Sequence, residues 1–177
     1  MSSQRRPTPR PSGAARRETV GERGPAPGSE LLVFRAGPER FALAVAGLEA
    51  VIEMPRLQPL PGMPSGMLGV AELRGSLVPV YSPARVLNVP MDGVEAAIVA
   101  RVGPEGNAGA GRRVAIAVTG AEGVTVYEPT AWSGVDGSTS AAGLVRGVAT
   151  WDGQLTTLVD AATFVAACMA GSSAEVL

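Results

Sequence analysis

The sequence contains no histidine and no lysine: its fifteen basic residues are all arginine. It has one cysteine, Cys168, and only 4% aromatic residues. Each shortage excludes something. Zinc sites and most acid–base or nucleophilic catalysis draw on histidine or clustered cysteine. A Ser-His triad is impossible, so the Ser138-Thr139-Ser140 stretch reads as a polar loop. One thiol cannot close an internal disulfide, which suits a reducing compartment. No apolar run reaches the ~18–20 residues that span a bilayer, and the N-terminal arginines precede no apolar segment of the kind a secretory signal carries. The expectation is a cytoplasmic, non-enzymatic protein without a membrane anchor, cofactor or metal. Gly103–Gly111 holds four glycines but lacks the lysine and spacing of a phosphate cradle.

What is present is apolar material, 46% of 177 residues, enough for one domain or two small lobes on a common core. Charge is unevenly placed. Residues 1–28 carry Arg5, Arg6, Arg10, Arg16, Arg17 and Arg23 against two glutamates, while the remainder holds nine arginines and fourteen acids. Residues 1–29 are rich in Pro, Ser, Gly and Arg, and are expected to form a disordered basic tail. No aromatics interleave with these arginines to stack bases, so nucleic acid is not an expected partner.

Most of the rest reads as short strands. Glu30–Arg35 and Arg40–Ala44 form a hairpin. Val45–Ile52 is expected to hold a short helical turn before a strand near Val51–Met54, and Pro55–Pro64 a proline-stiffened loop. Gly66–Tyr81, GMLGVAELRGSLVPVY, reads as two arms around Arg74-Gly75-Ser76, with glycine supplying a positive φ. Leu77–Tyr81 fits a strand covered on both faces, and Pro79 places it at an edge or a bulge. Ser82 is expected to cap a short helix, with Pro83 at its first position.

A second series of similar size begins at Glu95. It comprises strands at Ala96–Val102, Arg112–Thr119 and Val124–Tyr127, an irregular Glu128–Ala142, and a hairpin of Leu144–Thr150 with Gln154–Val159 across Trp151-Asp152-Gly153. Asp160 should cap a final helix, Ala161–Met169. Asp136, Asp152 and Asp160 are turn or cap residues. Residues 171–177 should fray.

Four stretches resemble the CheW-like domain family. The central run is similar to its hairpin, "GvinLRGxvlPviDL", and Leu60–Pro64 to its "lPgaP" lead-in. Leu31–Leu43 resembles the opening hairpin, and Gly143–Val165 the closing hairpin and helix. The resemblance covers residues 30–170. It implies a mainly β fold of two five-stranded SH3-like barrels, interleaved in the chain and packed on a shared apolar core, with short helices and a C-terminal helix. It also implies an adaptor that joins the chemoreceptor cytoplasmic tip to the regulatory domain of a CheA-type histidine kinase at receptor arrays, with other CheW-like domains as further partners. Carried over by position, the receptor-binding residues are Arg74 at the turn and Leu48, Val51, Met67, Leu68 and Val70 in an apolar groove. Two plainer readings stand beside these: Arg74 braces its own turn, and the apolar residues are core. The sequence departs from the family pattern at Ala50, where glutamate is common, and at Ser82-Pro83, where the pattern has Asp-Leu. An alternative is therefore a divergent subunit that keeps only one of the two interfaces.

Overall fold

The computed structural model describes residues 24–103, 111–135 and 143–171. Most of the basic tail, the centre of the glycine-rich loop, Asp136, the Ser138–Ser140 stretch and residues 172–177 lie outside them. Strands β1 (Glu30–Ala36), β2 (Glu39–Ala44), β3 (Leu48–Glu53), β4 (Met67–Leu73) and β5 (Ser76–Tyr81) lead into a one-turn helix, α1 (Ala84–Leu87). Strands β6 (Ala96–Val102), β7 (Arg112–Val118), β8 (Gly120–Val126), β9 (Ser133–Gly134), β10 (Val145–Trp151) and β11 (Gln154–Val159) follow, and α2 (Ala161–Met169) closes the fold.

The strands form a six-stranded sheet ordered β8-β1-β2-β11-β10-β9 and a five-stranded sheet ordered β3-β6-β7-β5-β4. The mainly β, two-lobed expectation holds, with one strand more in the first sheet and neither barrel closed by a continuous ladder. The lobes do not coincide with the two series read along the sequence. β6 and β7 join the strands before them, while β1 and β2 join β8–β11.

The strands are apolar on both faces because each face meets a different core. Leu31 and Val33 point into the six-stranded lobe with Tyr127, Trp132 and Leu158. Leu32, Phe34 and Ala36 point the other way, into a core shared by both lobes. In β6 and β7 the same alternation sends Ala97, Val99, Ala115 and Ala117 into the five-stranded lobe, and Ile98, Ala100, Val114, Ile116 and Val118 into the shared core. This is the period of two that a strand imposes. Phe164 of α2 joins the shared core, its ring centroid 5.9 Å from that of Phe34.

Several local expectations need correcting. No helical turn forms within Val45–Ile52: β3 begins at Leu48, where pairing with β6 satisfies the backbone and β-branched Val51 and Ile52 suit the pleat. β8 starts at Gly120, well before Val124, a start hidden by a glycine-rich segment that carries a bulge. The residue capping α1 is Pro83, although Ser82 Oγ still accepts the Ala84 N–H at 3.3 Å. In β5, Val78, Val80 and Tyr81 are buried, but Leu77 is 73% exposed.

Pro79 lies inside the sheet order and yet costs no ladder bond to β4. Val70, its partner there, exchanges both backbone bonds with Gln58 on the other side. Val70 and Pro79 are thus a non-hydrogen-bonded pair. The pairing with β7 begins only at Val80. As expected, Asp160 caps α2, its carboxylate accepting the Thr163 N–H at 2.9 Å.

Candidate functional site

Leu73 pairs with Ser76, so the β4–β5 turn has two residues, Arg74 and Gly75, with φ of 52° and 76°. Two positive φ values give the turn whose twist suits a hairpin. Glycine adopts this conformation freely, whereas arginine there costs on the order of 1–2 kcal/mol. Arg74 is exposed. Its guanidinium has no hydrogen-bond or ion-pair partner among the described residues, so the backbone brace read from the sequence is not made there.

Arg113 holds the turn from below. Its Nη1 donates to the Leu73 carbonyl at 3.5 Å, and its Nε bonds Glu49 Oε2 at 3.0 Å. Arg101 Nε meets the same carboxylate oxygen, also at 3.0 Å. Glu49 can face both arginines because it is the extra residue of a bulge: Leu48 pairs with Ala100 and Ala50 with Val99, leaving Glu49 outside the ladder. The network runs from β3 through β6 and β7 to the end of β4. It bridges the two edge strands of the sheet where no ladder joins them.

The six-stranded lobe repeats this device. Glu122 is the extra residue of a bulge in β8 and meets Arg35 Nη1 at 3.4 Å. Arg40 Nε also lies against Glu122, though off hydrogen-bond alignment. Arg40 Nη1 donates to the Trp151 carbonyl at 2.8 Å. Trp151 precedes the turn Asp152-Gly153, whose φ values are 49° and 73°. Arg35 pairs with Arg40 as Arg101 pairs with Arg113, and β11 runs parallel to β2 as β5 does to β7. Even Gln58 has a counterpart, since it bridges Val70 as Ser133 bridges Val148. The sequence carries the signal: Gly69–Gly75 reads GVAELRG and Gly147–Gly153 reads GVATWDG. The repeat of these two heptads points to equivalent hairpins, but Glu49, Arg101 and Arg113 lie outside both and carry no such signal in the sequence.

The six residues expected to bind a receptor lie on the two edge strands of the five-stranded sheet. Leu48 and Val51 are on β3; Met67, Leu68 and Val70 are on β4; Arg74 is at its turn. They do not converge on one cleft. Leu48 lines an apolar cleft of about 230 Å³ beside α2. Val51, 41% exposed, lines an open cleft of about 710 Å³ that reaches Gly120 and Ala121 of the other lobe. Arg74 lines a cleft of about 150 Å³ with Ala50, Leu73, Val99 and Arg113. Met67 packs on the shared core and Leu68 on the core of its own lobe. Val70 is half-buried.

Titratable groups add little chemistry. Burial pushes the Cys168 thiol up to about 12, so it stays protonated. Burial also works against ionisation of Asp160, but bonds from Thr163 and the charge of Arg146 outweigh it and hold the carboxyl below its usual range. Among the described residues no group of three or more His, Cys, Asp or Glu is placed to hold a metal. No helix of the described residues is long and apolar enough to cross a membrane.

No curated protein matches the chain in sequence. A solved structure does match in fold, the scaffolding protein TtCheW from Thermoanaerobacter tengcongensis. It has a TM-score of 0.61 at 17% identity, over 75% of this chain and 88% of that one. The family model of the CheW-like domain matches residues 30–168. That span takes in both lobes, both arginine clamps and the Arg74 turn, and with it the chain belongs to the CheW-like domain family.

Proposed function

We propose that the protein is a non-catalytic chemosensory scaffold that couples the cytoplasmic tip of a chemoreceptor to the regulatory domain of a CheA-type histidine kinase. Family membership and the likeness in fold to a CheW scaffolding protein support this reading. The observation that carries it is Arg74. An unpartnered guanidinium stands at the tip of a strained turn, held from below by a second arginine. An exposed planar fork of this kind is suited to bond carboxylates or carbonyls of a partner. Val51, exposed in the open cleft between the lobes, would meet the apolar face of a receptor helix. Leu48, Met67, Leu68 and Val70 would shape the groove from positions that are only half open.

A second reading keeps one interface only. It is favoured by the pair Ser82 and Asp160, which follow β5 and β11 at matching places. Asp160 carries a carboxylate, whereas Ser82 offers only a hydroxyl, which accepts the Ala84 N–H, so any contact that needs an acid there is lost. Separate binding measurements with the receptor signalling fragment and the kinase regulatory domain decide between the two. Binding to both supports the coupling scaffold, binding to one supports the divergent subunit, and binding to neither rejects both.

A further inference from the structure

The two clamps differ in what lies over them. In the six-stranded lobe the chain covers its own clamp. Trp151 sets its indole over Arg40, with Cζ 5.1 Å from the ring centroid. The far edge of that ring, Cη2, lies 3.9 Å from where a Cβ on Gly123 would stand. Register places Leu73, Arg113 and Ala50 of the five-stranded lobe at the positions of Trp151, Arg40 and Gly123. Leucine is the shorter side chain, and there the cleft of about 150 Å³ remains open. Its walls include the counterparts of the two groups beside the indole in the other lobe, Arg113, already anchored through Nε, and Ala50 on the bulged strand; Val99 and Ile52 line it as well, and Glu49 and Glu72 add carboxylates.

We propose that this cleft is a socket for an aromatic side chain of a protein partner. The ring would stack on Arg113 as Trp151 stacks on Arg40. Arg74, unpartnered at the rim, would pair with a carboxylate of the same partner. The chemistry of the occupant is read from the chain's own repeat: an arginine beside Val99, Ile52 and Ala50 favours an aromatic face, through cation–π attraction added to burial. That this partner is the receptor tip rests on the proposed function; the socket itself does not.

The test uses the full chain and indole as the probe, followed through backbone amide NMR signals. Saturable shifts at Ala50, Val99 and Arg113 are expected. They should vanish in Leu73→Trp, which supplies the side chain present in the other lobe and should fold with no loss of melting temperature. Absence of saturable shifts at these amides overturns the proposal, as do shifts that persist unchanged in Leu73→Trp. If Leu73→Trp does not fold, Ala50→Leu closes the cleft from the β3 side and is read the same way. With a receptor signalling fragment, Leu73→Trp should weaken binding at least tenfold. Normal fragment binding by Leu73→Trp, with weak binding by Arg74→Glu, overturns the receptor as occupant and leaves the proposed function standing. Normal binding by both variants overturns the role given to Arg74 there.

Discussion

Glu49 and Glu122 occupy the same bulge in the two lobes, and each takes the guanidinium groups of two arginines that face one another across a hairpin. Like charges directly opposite on paired strands repel. Each pair, Arg35 with Arg40 and Arg101 with Arg113, is therefore tolerated only with a carboxylate beside it. The bulge supplies one, because the residue that leaves the ladder is free to turn across the strands. One arginine of each pair then reaches a carbonyl next to the hairpin turn toward the far side of the sheet. A short polar bridge does the work of the missing ladder and fixes the turn that carries Arg74.

The two clamps should differ in cost when broken. Arg40 is 8% exposed, whereas the Arg101 and Arg113 side chains are 36% and 23% exposed. Removing one partner of a buried pair leaves an uncompensated charge, at a cost of about 3 kcal/mol. A more exposed pair is worth about 1 kcal/mol or less. Glu122→Ala should therefore lower stability by roughly 3 kcal/mol and Glu49→Ala by roughly 1, read as shifts of the urea unfolding midpoint. An equal loss, or a larger one at Glu49, would show that burial does not set the difference.

Glycine at two equivalent positions gives a sharper comparison. A Cβ on Gly69 would stand 2.8 Å from the Gln58 carbonyl oxygen, and one on Gly147 would stand 2.9 Å from that of Ser133. Both contacts are with backbone, which cannot swing aside. Only Gly69 also has φ of 151°, where L residues are rare. Alanine should destabilise at both sites, by about 2 kcal/mol at Gly147 and about 1 kcal/mol more at Gly69 from added backbone strain. Thermal unfolding of the two variants checks this, and a milder effect at Gly69 would contradict it.

Much of this architecture was legible in the sequence, and the remainder was hidden for physical reasons. Strands with strong apolar pattern or clear turns were placed well: β6 and α2 agree at both ends, and Asp152-Gly153 marks its hairpin. The start of β8 is not legible because Gly120–Gly123 has little strand propensity; its pairing with β1 is tertiary. The sequence suggests a helical turn ahead of β3 because the bulge at Glu49 breaks the strand alternation. Lobe membership could not be read from order along the chain, since β2 finds its parallel neighbour β11 far away in sequence. Arg74 was visible because its tripeptide is distinctive. The support beneath it was not, because Glu49, Arg101 and Arg113 come together only in space.

Arg74 offers two separable effects. Its left-handed φ is better suited to asparagine or glycine, so Arg74→Asn should hold or raise stability by up to about 1 kcal/mol. Its guanidinium makes no bond among the described residues, so removing it costs the fold nothing on that account. Arg74→Glu should likewise fold, yet both variants should weaken receptor-fragment binding, Arg74→Glu by tenfold or more through charge reversal. Thermal melts and fragment titrations on the same samples separate the two effects. Normal binding by a folded Arg74→Glu would reduce this arginine to a turn residue.

Asp160 gives the fold a defined response to acid. Its carboxylate accepts the Thr163 hydroxyl at 2.7 Å and N–H at 2.9 Å, and meets Arg146 Nη2 at 3.2 Å. Burial raises its pKa, but these partners lower it further, and the net direction in the folded state is downward from 3.8. A depressed folded pKa means that the unfolded chain binds the proton more readily. The stabilisation is thus complete above the unfolded value, near pH 4, and drains away as pH falls through that value and then the folded one. Asparagine preserves the cap but not the charge. The wild-type protein should therefore be more stable than Asp160→Asn at about pH 7, with the gap closing below about pH 4. Urea midpoints of both proteins across that range measure the gap directly, and a gap that widens on acidification would mean that burial, not the Thr163 and Arg146 contacts, governs this carboxyl.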